Sequence, residues 1–250
     1  NALSNLGSLG HGNHFIEIDT SGKDVWLIIH CGSRHMGHHV ASHYMKAAME
    51  FAGAKGNAER TFALDVNSTL GKEYLAVQEF LLEFALLNRM EIANEVIDGL
   101  KDALCERFSI ELWVNKNHNH AQQIGQSQRF IHRKGATPSA KGERGVIPGD
   151  MKNGTFLVIG KGNKKFLESS SHGAGRAMSK TQARKTTSMN EFEAMMKGIK
   201  ATVKESTLDE NPKAYKNIFS VMRAQEQSVK TYKHLLPILN WKGESEKRRQ

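Results

Sequence analysis

Residues 13–30 read NHFIEIDTSGKDVWLIIH, a stretch with two strand-like segments that each adjoin a histidine. Apolar and polar residues alternate from Phe15 to Ile18, which is typical of a strand with one buried face. The run from Val25 to Ile29 is continuously apolar and leads directly into His30. The stretch therefore predicts two strands with His14 and His30 at their ends.

Apolar residues recur at helical spacing in the segments that follow. The pattern covers residues 40–51 and then residues 72–108, where a three-four rhythm predicts a long central helical segment with Asn88-Arg89 as a candidate break. Two shorter helices are predicted over residues 190–204 and 218–234.

Residues 110–160 have a different pattern, because short apolar runs are separated by Gly, Pro, Asn and Lys. Strands are predicted at residues 110–114, 130–132, 156–159 and, near the end of the chain, 238–241. The sequence contains no internal repeat and no low-complexity linker. We therefore predict a single large mixed α+β domain over residues 1–250.

Composition indicates a folded protein with an anionic partner. The 250 residues are 39% apolar, which is enough for a core, and the net charge of +9 is spread along the chain. Such a basic balance favours nucleic acid over a membrane surface as the partner. The basic end at residues 246–250 is interpreted as a solvated tail.

Cysteine usage and the lack of long apolar runs predict a cytoplasmic location. Cys31 and Cys105 are far apart in sequence and make no disulfide framework, which indicates a reducing compartment. No apolar run reaches membrane-spanning length, so we expect no membrane partner.

The histidines next to polar and glycine-rich residues indicate metal-assisted phosphoryl chemistry, since imidazole is both a metal ligand and a nucleophile. His14, His30 and His118 each lie at or just beyond a strand-like segment. Three imidazoles from separate segments can hold a divalent ion. The residues alone suit zinc, iron or nickel as readily as manganese.

The segment SSSHGAGR at residues 169–176 is typical of an anion-binding loop. Its small residues let backbone N–H groups approach a phosphate, and Arg176 offers a bidentate clamp. A neutral His172 can attack phosphorus to form a phosphoramidate. The same residues also fit a flexible glycine turn before a helix. Similarly, HRKGAT at residues 132–137 fits either a basic surface turn or a contact to nucleic-acid phosphates.

Several short motifs occur in the order found in RtcB-type RNA-splicing ligases, and together they resemble that family over almost the whole chain. The motifs are Gly7–Glu17, His30–Arg34, Asn88–Arg89, His118–Asn119, His132–Thr137, Ile147–Gly149, His172–Arg176, Ala214–Lys216 and Lys242–Gly243.

This resemblance implies an RNA ligase that depends on GTP and on two Mn²⁺ ions. Such enzymes join an RNA 2′,3′-cyclic phosphate or 3′-phosphate end to a 5′-hydroxyl end, in tRNA splicing or RNA repair. His172 would attack the α-phosphate of GTP, form a histidine-GMP intermediate and release pyrophosphate. The GMP would pass to the RNA 3′-phosphate, and the 5′-hydroxyl would displace it. The expected partner is RNA, either tRNA halves or broken ends, and whether an accessory protein takes part stays open.

The resemblance also implies the remaining roles in the site. A carboxylate at Glu17 can accept hydrogen bonds from the N1–H and amino group of guanine, whereas adenine lacks that pair of donors. The implied metal ligands are His14, His30 and His118; the implied nucleotide contacts are Asn13, Phe15, Glu17, Thr155, Gly173, Ala174, Gly175, Arg176, Tyr215 and Lys242; the candidates for RNA phosphates are Arg34, Arg133 and Lys134.

The sequence departs from the family pattern in three places. The family has an aspartate and a cysteine ahead of the Asn13-His14 motif that complete the metal site, and nothing precedes Asn1 here to supply them. We therefore expect a chain truncated at its amino terminus with an incomplete metal site. Thr155 and Asp150 occupy places where a serine is common. Two alternatives remain: an RNA-binding remnant without turnover, and a multi-histidine metal-dependent phosphoesterase.

Overall fold

The computed structural model describes residues 3–59, 61–105 and 108–243. The chain divides into two compact units, one formed by Asn1–Ser8 with Cys31–Gly99 and the other by Leu9–His30 with Leu100–Gln250. The predicted α+β class is confirmed. The single domain over residues 1–250 stays a prediction, and the basic end at residues 246–250 lies outside the described residues. Within the described part of the chain, no helix is both long and apolar enough to cross a membrane.

The first unit is helical, with α1 at Arg34–Phe51 and most of α2, which runs from Thr69 to Leu104. The 36-residue α2 confirms the long helical segment. It continues through the candidate break because the Asn88 side chain, fully buried, donates to Ser8 O at 3.1 Å and does not compete for its own helix backbone. Helix α1 begins six residues before the predicted segment, since its first turn is polar and carries no apolar rhythm.

The second unit contains all ten strands that the described residues form, together with three short helices. The helices are α3 at Lys180–Thr186, α4 at Met189–Met195 and α5 at Ile218–Ala224. The strands are β1 Phe15–Ser21, β2 Asp24–His30, β3 Asn119–Gln123, β4 Phe130–Lys134, β5 Ala136–Pro138, β6 Arg144–Pro148, β7 Thr155–Gly160, β8 Ser169–Ser171, β9 Lys200–Ala201 and β10 Val229–Lys242.

A mostly antiparallel sheet with the strand order β2-β1-β10-β7-β6 organises this unit, and β9 adds to β10 in parallel. Strand β1 lies between two partners, so that Phe15 pairs with His30 on β2 and with Lys242 on β10. Alternation along β1 buries Phe15, Glu17 and Asp19 on one face. This face therefore carries two carboxyl groups next to an apolar cluster of Phe15, Ile28, Leu157 and Leu235.

A second apolar cluster covers the sheet beside β7 and fixes α5 against it. Its buried members are Ile147, Phe156, Val158, Ala174, Ile218, Met222 and Val229. Ala174 belongs to the glycine-rich loop after β8, so the packing of this cluster also anchors the segment that contains His172.

Two predicted helices are wrong over much of their length. The segment at residues 218–234 is helical only to Ala224, and from Val229 it is the start of β10. The segment at residues 190–204 is helical only to Met195 and contains β9. In both cases a short apolar run fits the period of a helix as well as that of a strand. At β10, pairing with β1 and β7 stabilises the strand.

One predicted strand is also wrong, whereas the others are confirmed. Residues 110–114 form no strand, and Ile110 and Leu112 expose 55% and 61% of their surface. Without a neighbouring strand to pair with, their alternation does not produce a sheet edge. Strands at residues 15–18, 25–29, 130–132 and 156–159 are present, and the short strand predicted at residues 238–241 is part of the longer β10.

Gly154→Ala should destabilise the protein more than Gly142→Ala. Both glycines have positive φ angles, +70° and +82°, but only at Gly154 would a Cβ collide with the Leu235 carbonyl oxygen; Gly142 is surrounded by open space. Backbone strain lowers the free energy of unfolding by about 1 kcal/mol in each variant. The collision removes about 2 kcal/mol more. Equal denaturation midpoints for the two variants would show that the Leu235 carbonyl oxygen does not restrict the residue directly before β7.

Candidate active site

Four histidines from distant parts of the sequence converge in the second unit. The ring centroid of His30 lies 5.7 Å from that of His14, 5.3 Å from that of His118 and 6.3 Å from that of His172. His118 and His172 are closer still, with centroids 4.5 Å apart and planes inclined by 28°. The segments that precede β1 and β3 and the ends of β2 and β8 thus deliver their imidazoles to one place.

Backbone carbonyls fix the tautomers of His14 and His172. The Nδ1 atom of His14 lies 2.8 Å from Leu9 O, and that of His172 lies 2.7 Å from Gly135 O. A carbonyl oxygen only accepts, so each Nδ1 carries the hydrogen and each neutral ring keeps a lone pair on Nε2. Nε2 of His14 is therefore suited to a metal ion, and Nε2 of His172 to attack on an electrophile.

The electrostatic environment keeps His30 neutral. Burial has the largest effect and, with the electrostatic effect of the neighbouring His118, His14, His172 and Lys242 side chains, it holds the pKa of His30 well below its ordinary value. A neutral imidazole is the form that binds a metal ion.

The donor chemistry of the three predicted metal ligands fits a divalent ion, but their arrangement does not close around one. Among residues 3–59, 61–105 and 108–243, no three His, Cys, Asp or Glu side chains are arranged to hold a metal ion. The rings of His30 and His118 are nearly parallel, with planes inclined by 12°. The set therefore needs further ligands to hold an ion.

Glu17 lies on the buried face of β1 and is 2% exposed. It accepts hydrogen bonds from Thr155 Oγ1 at 3.3 Å and from Asn240 Nδ2 on the paired strand. Burial raises the pKa of Glu17, and these donors together with Lys242 act in the opposite direction. The Glu17 carboxylate, which is predicted to bind the guanine base, is therefore held in a fixed orientation by Thr155 and Asn240.

Lys242 lies near the rings of Phe15 and Tyr215. Lys242 Nζ is 4.9 Å from the Phe15 ring centroid and 6.0 Å from that of Tyr215. Burial lowers the pKa of Lys242, and the charges of Glu210 and Glu17 raise it. Burial, followed by the charge of Glu210, raises the pKa of Tyr215 far above its ordinary value, so its hydroxyl stays a donor.

Glu210 is an important residue of this region that sequence reasoning missed. It is 2% exposed and contacts Arg176 Nη1 at 3.1 Å, Lys180 Nζ at 3.5 Å and Lys242 Nζ at 3.7 Å, and it accepts from the Tyr215 hydroxyl. Its position five residues ahead of Tyr215 was the only feature of the sequence that linked Glu210 to a predicted site residue. Nothing in the sequence indicates that this carboxylate is buried among cations.

The loop after β8 is held on both sides by the protein backbone. Ala174 N donates to Pro148 O at 2.9 Å, and Gly175 O accepts from Lys216 N at 2.9 Å. Gly173 approaches Pro148 so closely that an added Cβ would lie 3.0 Å from its carbonyl oxygen. The loop is therefore an ordered support for the His172 ring.

The Arg176 guanidinium contacts acceptors of the protein itself, and its predicted contact to a phosphate stays a prediction. Its Nη2 donates to Asp209 O at 2.6 Å, its Nε to Met178 O at 3.1 Å, and the guanidinium lies over the Tyr215 ring at 5.4 Å. With Nη1 on Glu210, all three nitrogens face protein acceptors. This geometry favours bracing of the loop over clamping a phosphate.

The three candidates for RNA phosphates lie in unlike surroundings. Arg133 is 6% exposed and donates to Ser169 Oγ, Gln122 Oε1 and Leu167 O, which favours a structural role. Lys134 is exposed and precedes Gly135, the acceptor of His172. Arg34 belongs to the helical unit, where its Nε donates to Ser8 Oγ at 3.0 Å.

Asn13 and Asp150 complete the set of predicted residues. Asn13 is exposed directly before His14. Asp150 is 9% exposed, and its carboxylate accepts from Lys152 N at 2.9 Å, Asn153 N at 3.1 Å and Asn153 Nδ2 at 2.7 Å. It therefore stabilises its own turn between β6 and β7.

One known protein family matches almost the whole chain. The profile of the family described as tRNA-splicing ligase RtcB matches residues 1–243. The chain belongs to the RtcB family. Its histidine cluster and its buried Glu17 lie within the matched residues, and the resemblance drawn from the short motifs is confirmed.

Named RtcB proteins from bacteria and archaea are similar to this chain. The RNA-splicing ligase RtcB of Escherichia coli K12 is 31% identical over 256 residues, which cover 97% of this chain and 62% of that protein. The tRNA-splicing ligase RtcB of Nanoarchaeum equitans is 30% identical over 267 residues, covering 89% and 56%. The chain thus spans less than two thirds of the length of these relatives.

Glu210→Ala should destabilise this RtcB-family chain by about 3 kcal/mol, because it leaves the buried Lys242 and the neighbouring Arg176 without their shared counter-charge. The matched control is Asp24→Ala, which removes a 59% exposed carboxylate paired with Lys233 and should change stability by about 0.5 kcal/mol or less. Chemical denaturation measures both. An equal loss in the two variants would show that Glu210 is not an internal counter-ion.

Proposed function

We propose that this chain carries the nucleotidyl-transfer centre of a GTP-dependent RNA ligase of the RtcB type. The observation that supports this most is the placement of His172. Its Nε2 lone pair is left available by the Nδ1 bond to Gly135 O, and its ring packs against His118 in the unit that also contains the buried Glu17. A nucleophile and a base-reading carboxylate are what the first step of such a ligase requires.

In the proposed first step, His172 Nε2 attacks the α-phosphorus of GTP. A P–N bond forms, the bond between the α-phosphorus and its bridging oxygen breaks, and pyrophosphate leaves with that electron pair. Positive charge develops on the imidazole, and Gly135 O stabilises it through the Nδ1–H bond. In the next steps the RNA 3′-phosphate takes GMP from the histidine, and the RNA 5′-hydroxyl displaces GMP to close the phosphodiester.

Guanine selectivity is assigned to Glu17, with Phe15 as an apolar wall and Lys242 and Tyr215 beside the base. The Thr155 and Asn240 bonds hold the Glu17 oxygens in fixed directions. A fixed carboxylate accepts from the N–H edge of guanine and finds no matching donor pair on adenine. Asn13, exposed beside His14, is assigned to the nucleotide phosphates.

Manganese is the proposed metal, and it would neutralise charge on the phosphates when bound. His14, His30 and His118 would supply imidazole ligands. Because these three do not close around an ion by themselves, the proposal requires further ligands. RNA is the proposed partner, with the exposed Lys134 as the best placed candidate for its phosphates. The free cysteines Cys31 and Cys105 support a reducing, cytoplasmic compartment.

An RNA-binding protein without turnover is the second candidate, and the unclosed histidine set is the observation that favours it. Its RNA affinity would come from the basic charge alone. It would bind RNA ends but would not take up GMP.

Incubation with GTP labelled at the α-phosphate, in the presence of Mn²⁺, tests the proposal. We expect an acid-labile covalent label that is absent from His172→Ala and retained in His39→Ala, which removes an exposed histidine from α1. The loss in His172→Ala should be complete, since the P–N bond of the proposed intermediate forms at His172 Nε2.

Three other results would contradict the proposal in different ways. Label that persists in His172→Ala assigns the nucleophile to another residue. Retained RNA binding without any label supports the second candidate. Release of phosphate from RNA ends without any nucleotide supports a metal-dependent phosphoesterase.

A further inference from the structure

Asp19 is a fully buried carboxyl group for which the proposed chemistry has no use. It follows Glu17 by two residues on β1, so the two side chains lie on the same face of the strand. Asp19 is 0% exposed and Glu17 is 2% exposed. Two ionised carboxylates this close together on a buried face would repel each other. Their repulsion would destabilise the folded protein unless one of them is neutral.

The surroundings of the two carboxyl groups differ sharply. Glu17 accepts from Thr155 and Asn240 and lies near the charge of Lys242. Neither oxygen of Asp19 has a donor among the residues that the structure describes, and the group that Asp19 contacts is Glu17 itself. Two ionised carboxylates can only accept, so this contact becomes a hydrogen bond when one of them holds a proton.

The proton belongs on Asp19. Two donors and a nearby cation stabilise negative charge on Glu17, whereas nothing comparable stabilises it on Asp19. Burial and then the charge of Glu17 raise the pKa of Asp19 to about 9. Of the two groups, Asp19 is therefore the one that holds a proton, and the negative charge of the pair lies on Glu17.

We propose that Asp19 is a positioning residue, which donates a hydrogen bond to Glu17 and keeps that carboxylate ionised and aimed at the guanine edge. The inference rests on the proposed function, since it assigns to Asp19 a part in base selection. Glu17 without this donor would be freer to rotate or to take up a proton, and a protonated Glu17 would offer a donor where guanine also has one. Asp19 would thus determine selectivity without touching the nucleotide.

The pH dependence of stability tests the protonation state without any ligand. The pKa of Asp19 is raised in the folded protein, so folding takes up a proton, and the resulting stabilisation is present at low pH and lost as the pH rises toward about 9. Asp19→Asn keeps a donor and cannot ionise. The ratio of the unfolding equilibrium constants of wild type and Asp19→Asn should rise about tenfold per pH unit between about pH 5 and pH 8.

Other titrating groups around the pair are present in both proteins and cancel in this ratio. They are Glu17 on the same strand, and Lys242 and Glu210 beside it. Denaturation curves at each pH give the constants. A ratio that does not change with pH would show that Asp19 is ionised in the folded protein and would overturn the proposal.

Nucleotide binding tests the positioning role. Asp19→Asn should bind GTP within about threefold of wild type, whereas Asp19→Leu, of similar size but without a donor, should bind GTP at least about tenfold more weakly. Binding of ATP should change less in either variant, so the ratio of GTP to ATP affinity falls in Asp19→Leu. Asp24→Asn, which removes an exposed carboxylate from β2, serves as the charge control and should leave GTP affinity unchanged. Asp19→Ala replaces Asp19→Leu if the latter does not fold.

The outcomes separate this inference from the proposed function. Equal GTP affinity in wild type and Asp19→Leu overturns the positioning role and leaves the ligase proposal standing. Failure of wild type and every variant to bind GTP overturns both. GTP affinity that is retained in Asp19→Asn and lost in Asp19→Leu supports a hydrogen-bonding role, because a merely space-filling residue could be replaced by either side chain.

Discussion

The pairing of β1 between β2 and β10 is the constraint on which the rest of the site depends. Because Phe15 is in register with His30 on one side and with Lys242 on the other, two residues with proposed roles meet at the start of β1, directly after His14. The side-chain period of a strand is two, so a shift of one residue would turn Glu17 out of the buried face. Correct register is thus both a folding requirement and a requirement for the site.

That buried face is unusual because it carries so many polar groups. Glu17, Asp19, Asn240 and Lys242 are all at most 4% exposed, although burial of each is unfavourable without partners. Most of them are satisfied by one another or by Glu210, whereas Asp19 depends on a shared proton. A set of buried polar groups with mutual partners is typical of a preorganised binding site. The apolar clusters beside the sheet stabilise the fold in which this face is buried.

Much of this could be predicted from residues that are close in sequence. The alternation of apolar and polar residues up to Ile18 identified β1, and the apolar run before His30 identified β2. The long series of apolar residues at helical spacing identified α2. The error at residues 229–234 arose because a short apolar run has no period of its own, so the neighbouring strands decide its conformation. The same reason explains the strand that was wrongly predicted at residues 110–114, which has no partner to pair with.

The placement of His14 and His30 at one site was predictable from the two strands that adjoin them. The strand predicted before His118 is absent, and His172 was singled out by its glycine-rich loop and not by a strand. The partners of the charged residues were not predictable. Arg133 and Arg176 are cations in loops by sequence, yet the structure surrounds them with acceptors. Glu210, Asp19 and Asn240 carry no local signal, because their importance comes from burial, which only the tertiary fold determines.

A crystal structure of the protein with bound GTP and Mn²⁺ tests whether β1 brings the base site and the histidine nucleophile together. The account predicts the guanine edge on Glu17, the base beside Phe15, and the α-phosphorus bonded to or in line with His172 Nε2. A nucleotide bound away from β1, or one whose base contacts Glu17 while its phosphates point away from His172, would contradict the central claim that one strand register assembles both halves of the site.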